Sequence, residues 1–149
     1  MRCERFLPVV CLLILGFSSG CASQVQWHGY LFEPVHDDAR ERGLPTMVYL
    51  RSWYLPECAR FENEVLTDPT VIAATRGYRN ANIDFDWNKA LAEGWGVEQS
   101  PAVVLLDTSG QVLSILQGPI QAAPLQEALV ANDPAAVPAP TSAPATEPN

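Results

Sequence analysis

Residues Thr46–Leu66 read TMVYLRSWYLPECARFENEVL. The stretch opens on Met47-Val48-Tyr49-Leu50, a short apolar, β-favouring run of the kind that makes a buried central strand. The aromatic pair Trp53-Tyr54 and a proline turn, Leu55-Pro56-Glu57, end that run. Beyond the turn, Phe61, Val65 and Leu66 recur at helical spacing, with Arg60, Glu62 and Glu64 on the other face. The pattern is a strand, a tight loop and a helix, with Cys58 in the first turn of the helix.

The flanks extend the pattern on both sides. Upstream, Glu33 to Arg42 predicts a helix, with Arg40 and Arg42 in its last turn and Gly43 as its stop. Before it, Trp27, Tyr30, Leu31 and Phe32 form an aromatic cluster expected to pack on the flank of the domain, and Ala22 to Gln26 reads as a flexible polar leader. Downstream, Asp68-Pro69 reads as an N-cap and a first-turn proline, restarting a helix through Ala74 that Gly77 ends. Tyr78 to Asp84 is a weaker strand. Trp87 to Trp95 fits a short helix with Leu91 inward, closed by Gly94 or Gly96. Ser100-Pro101 enters a second apolar run, Ala102 to Asp107. Thr108-Ser109-Gly110 is a hairpin turn, Gln111 to Leu116 pairs back, and a final helix covers about Gln121 to Ala131.

A strand feeding a tight loop and a helix that starts on cysteine resembles the active-site unit of the thioredoxin fold. The tail Cys58-Ala59-Arg60-Phe61-Glu62-Asn63-Glu64-Val65-Leu66-Thr67-Asp68-Pro69 is similar to one branch of thioredoxin-like domains, in which a Lys/Arg-rich helix leads to Asp-Pro. The resemblance covers about residues 27–132. It implies an α/β thioredoxin-like sandwich, a central mixed β-sheet flanked by helices. It also implies that Pro101 follows a cis peptide bond and faces the motif loop; such bonds are uncommon enough to mark a fold determinant. One departure is decisive. The family motif is Cys-x-x-Cys, with the first cysteine attacking disulfides, and here it stands as Leu55-Pro56-Glu57-Cys58. Leucine is no nucleophile.

Residues 1–20 carry Arg2 and Arg5 ahead of an apolar run, Phe6 to Phe17, which is too short to span a bilayer as a mature helix and ends in Ser18-Ser19-Gly20-Cys21. That is the layout of a secretory signal. A cysteine after small residues resembles a bacterial lipobox, with Cys21 as the lipidated residue; an ordinary cleaved signal or an uncleaved anchor are the alternatives. Ala22 after that cysteine points to the outer membrane, with the domain 22–132 on the periplasmic face of the cell envelope. Residues 133–149, rich in Pro, Ala, Thr and Ser, read as a disordered tail.

Of the four cysteines, Cys3 and Cys11 fall in the signal and Cys21 would be acylated. Only Cys58 then remains as a thiol, in a compartment where disulfides form. Without Arg2, Glu4 and Arg5 the chain keeps seven basic against sixteen acidic residues. A chain so poor in Lys and Arg lacks the footprint for nucleic acid or anionic headgroups, so membrane attachment is expected through the lipid on Cys21. His28 and His36 are too few and too loosely spaced for a metal site and are expected at the surface. No glycine-rich phosphate loop occurs, and no cofactor is expected.

Two readings of function follow. In a dithiol enzyme the second cysteine resolves the mixed disulfide, and Cys58 holds that place. As a monothiol it would be the catalytic residue of a reduced thiol-disulfide oxidoreductase; as a buried cysteine it is a small hydrophobe. The other reading is a binding or scaffolding module without dithiol activity. Trp53, Tyr54, Leu55, Pro56, Ser100 and Pro101 would then form an apolar, backbone-edged groove. In the family the proline loop pairs with an extended partner by main-chain hydrogen bonds, which implies an envelope protein or peptide as partner. The loss of the attacking sulfur favours binding over catalysis.

Overall fold

In the computed structural model, residues 24–134 are described; the signal segment, Cys21 and the tail from residue 135 lie outside them. The chain runs α1 (Phe32–Arg42), β1 (Thr46–Arg51), α2 (Pro56–Glu64), α3 (Pro69–Ala74), a single 3-10 turn (Thr75–Gly77), β2 (Arg79–Asp84), α4 (Lys89–Trp95), β3 (Ala102–Leu106), β4 (Val112–Gln117) and α5 (Ala122–Ala131). The sheet order is β2-β1-β3-β4. β1 and β2 are parallel, which requires the crossover that α2 and α3 provide, whereas β1–β3 and β3–β4 are antiparallel. The mixed sheet between helices is the architecture expected from the sequence.

β1 is buried on both faces, as its continuous apolar run demands. Met47 and Tyr49 join Phe61, Val65, Leu66, Val71, Val103, Leu105, Leu125 and Leu129 on one side. Val48 and Leu50 join Val35, Ala81, Ile83, Ala92, Val104 and Leu106 on the other. Helices α2, α3 and α5 cover the first face, α1 and α4 the second. Burying one such aliphatic side chain contributes about 1.5–3 kcal/mol, so this double-sided strand is where the sheet is fixed.

Local signals set the element ends. Gly43 closes α1 at φ 67°, a left-handed cap that favours glycine. Asp68 caps α3 by accepting from the Thr70 and Val71 N–H groups, with Pro69 following it. These contacts hold the Asp68 carboxyl below its ordinary pKa, the Thr70 hydroxyl contributing most.

Three expectations need correction. His36 is buried, not superficial: its Nδ1 lies 3.0 Å from Thr46 Oγ1 and its ring stacks on Phe32. Val25, in the supposedly flexible leader, is a core residue because the segment runs along the outer edge of β2: His28 N–H donates to Asn80 O, Asn82 N–H donates to Gly29 O, and Gly29 bridges Ala81 in parallel. The aromatic cluster divides. Trp27 stacks on Tyr49 and Phe32 meets Trp95 edge-on, while Tyr30 and Leu31 face solvent. In α4 Leu91 does pack inward against the second face's core, beside the fully buried Ala92.

Candidate functional site

The site forms where β1 ends and α2 begins. Leu55 is the N-cap of α2 in extended geometry, with no side-chain cap bond, and Pro56 follows in the first turn. A proline is suited to this place because the first-turn N–H groups have no intrahelical partner. The backbone then folds Cys58 back beneath the loop, its N–H donating to Leu55 O at 3.1 Å. The thiol is 1% exposed.

What surrounds the sulfur defines its chemistry. Ser52 N–H donates to Cys58 Sγ at 3.4 Å. Ser100 Oγ lies 3.2 Å from Sγ and donates its own proton to Leu50 O at 3.1 Å. A hydroxyl has one proton; with that proton on Leu50 O, the S–H of Cys58 is the donor to Ser100. Ser100 therefore joins the helix start to the centre of the sheet. The Ser100–Pro101 peptide is cis, as the sequence implies, and this loop abuts the first turn of α2.

Leu55 sits where the motif would carry an attacking sulfur. A leucine side chain can pack but cannot exchange. Beneath it Tyr49 donates its hydroxyl to Glu62 Oε1 at 3.1 Å. Burial above all, then the neighbouring Cys58 and Glu62, pushes the Tyr49 phenol far above its ordinary pKa, so it remains a neutral donor.

The six residues expected to make one groove are parted. Pro101 lines a cavity of about 290 Å³ between the first turns of α2 and the loop after β4, with Glu57, Arg60, Phe61, Val65 and Ile120. Ser100 is turned inward to Cys58 and Leu50. Trp53 and Tyr54, both exposed, lean towards the loop between β2 and α4: their rings meet edge-on at 5.7 Å, and Tyr54 OH donates to Asp86 Oδ1 at 3.1 Å. That hydrogen bond raises the Tyr54 pKa. Trp87, beside Asp86, is 88% exposed. Among the described residues, no group of three or more His, Cys, Asp or Glu side chains is arranged for a metal.

Arg60, Ile120 and Trp87 are residues here that the sequence reading gave no part in a site, and Asp86 it read as part of a solvated acidic turn after the strand. Asp86 and Trp87 had one signal. β1 and β2 are parallel, so the loops at their carboxyl ends lie together, which is where ligands bind in open α/β sheets.

No family profile and no curated protein match the chain. Solved structures do. A thioredoxin from Thermus thermophilus superposes with a TM-score of 0.61 at 24% identity, over 69% of this chain and 84% of its own. Trxlp from Edwardsiella tarda gives 0.56 at 26% identity, over 68% and 96%. The fold is thioredoxin-like. A DsbH oxidoreductase matches this thioredoxin-like domain over more of its length, 86% of this chain and 94% of its own, at 16% identity and a TM-score of 0.60. At these identities the likeness concerns the fold, and the chemistry of the thioredoxin-like domain rests on its own residues.

Proposed function

We propose that this protein is a lipid-anchored thioredoxin-like binding module of the cell envelope, attached through Cys21, that holds an extended segment of another envelope protein and carries out no dithiol exchange. The observation that carries the reading is the pairing of Leu55 at the N-cap with a Cys58 that is 1% exposed. Disulfide exchange begins when a thiolate reaches a disulfide sulfur. Here the accessible position is hydrocarbon, and the sulfur behind it is enclosed by Ser52 and Ser100. What faces a partner is the surface from Trp53 to Pro56, together with the Pro101 groove.

Proteins captured from solubilised envelope by the wild-type chain and by Cys58→Ser, with and without reductant, test this. A partner retained equally in all four arms, and lost when Arg60→Glu and Ile120→Asp alter the groove, supports the module. A partner held covalently, released by reductant and absent from Cys58→Ser, makes the protein a monothiol oxidoreductase instead.

A further inference from the structure

Of the four tryptophans, two are used by the core and two are left bare. Trp27 stacks on Tyr49 and Trp95 meets Phe32, whereas Trp53 is 75% exposed and Trp87 is 88% exposed. Large aromatic side chains left at a surface are the usual anchors of protein interfaces. Both bare indoles belong to the loops at the carboxyl ends of β1 and β2. Tyr54, itself exposed, ties these loops together: its ring meets Trp53 edge-on, and its hydroxyl donates to Asp86, the neighbour of Trp87.

The charge behind these rings is one-sided. Asp84 Oδ1 accepts the Trp87 N–H at 3.0 Å and Asp86 Oδ1 accepts the Tyr54 hydroxyl. Among the described residues, neither carboxylate belongs to an ion pair. The cations of the region are engaged elsewhere. Arg51, in register with Asp84, lies 3.3 Å from Glu62 Oε1. Arg60 lines the Pro101 groove, and Lys89 lines a cavity with Glu93 and Glu98. The hydrogen bond to Asp86, then the charge of Asp86 and more weakly that of Asp84, raise the Tyr54 pKa, the response of a phenol held in a negative field. Asp86 Oδ2 is covered, so this carboxylate acts through its field and the exposed rings make the contact.

We propose that Trp53, Tyr54 and Trp87 receive an arginine side chain of an extended partner segment. A cation over a ring face is attracted by the ring quadrupole, most strongly at tryptophan. The guanidinium is planar and weakly hydrated, and it stacks on such faces. The unpaired carboxylates add to the attraction for a cation and repel an acidic side chain; an aliphatic one gains nothing from them. The inference rests on the binding module proposed above and names the side chain that its Trp53 surface takes.

The test is a titration of the intact protein with blocked alanine pentapeptides that carry arginine, citrulline or glutamate at the centre. Citrulline keeps the shape of arginine without its charge. NMR follows the Trp53 and Trp87 indole signals, with the packed Trp27 as internal control. The arginine peptide gives saturable shifts at Trp53, with a dissociation constant on the order of 1–10 mM. It binds at least about threefold more tightly than the citrulline peptide, the glutamate peptide binds most weakly, and added salt narrows the differences. Trp53→Ala weakens the arginine peptide about fivefold without moving the melting temperature. Asp86→Asn keeps an acceptor for Tyr54 and removes the charge; it weakens the arginine peptide about threefold and leaves citrulline unchanged. Glu127→Gln makes the same change of charge at an exposed position of α5 and alters neither. Should Asp86→Asn fail to fold, the citrulline comparison and Trp53→Ala still decide. Equal binding of citrulline, no saturable shift at either bare indole, or an equal loss in Glu127→Gln overturns the proposal. Any of these leaves the module to its own test by envelope capture, and covalent capture through Cys58 would end the module without altering these titrations.

Discussion

If Cys58 is enclosed as the structure has it, an alkylating reagent meets the sulfur only when the fold opens. Opening must part the first turn of α2 from the loop carrying Ser100 and break both contacts to Sγ, from Ser52 N–H at 3.4 Å and with Ser100 Oγ at 3.2 Å. Domains of this size are stable by about 5–15 kcal/mol, and a helix end next to a loop opens locally for less than the global cost, at about 4–5 kcal/mol. Each 1.4 kcal/mol is tenfold, so labelling should run about 700- to 4,000-fold slower than in the unfolded chain. The assay is pulse alkylation with N-ethylmaleimide, native and in denaturing urea, quantified by mass spectrometry on the peptide containing Cys58, so that the other cysteines do not enter. A ratio below about ten would put the thiol at the surface and refute the reasoning that encloses the sulfur behind the helix start.

Three further outcomes are expected. Burial, followed by the nearby Arg79, lowers the His28 pKa from its ordinary 6.5, and Nδ1 must stay unprotonated to accept the Asn80 N–H. Between that lowered value and 6.5 the unfolded chain binds more protons than the folded one, so stability falls as pH drops from 7.5 towards 5.5. Thermal melts should show the fall, and His28→Asn, which keeps a neutral acceptor, should flatten it; an equal fall in both proteins contradicts the assignment. Tyr78 OH donates to Leu129 O at 2.7 Å within the core, and Tyr78→Phe should cost about 1–2 kcal/mol, seen as a lower urea midpoint at unchanged slope. Tyr54→Phe should leave stability within about 0.5 kcal/mol, since Tyr54 is exposed, yet free Trp53 to move and change its fluorescence; an unchanged spectrum argues that the Asp86 bond does not set the loop.

Much of this architecture is local and was therefore readable. Met47 to Leu50, Asp68-Pro69, Gly43 and Ser100-Pro101 each carry their structural instruction within a few residues, and each appears where the chain order placed it. Cys58 could be placed in the first turn of a helix, because that follows from spacing alone. Its two sulfur contacts could not be read, since Ser100 is 42 positions away. His36 failed for a similar reason: its spacing from His28 speaks only to a metal site, whereas Thr46, ten positions on, and the Phe32 ring enclose it. Tyr54 was expected to face Pro101, and only the parallel pairing of β1 with β2 explains its turn to Asp86.

Insulin reduction by the wild-type chain, Cys58→Ser and Leu55→Cys measures the central claim most directly. The account predicts no turnover from the first two proteins, and from Leu55→Cys a turnover that requires Cys58. Turnover by the wild-type chain that vanishes in Cys58→Ser would contradict it.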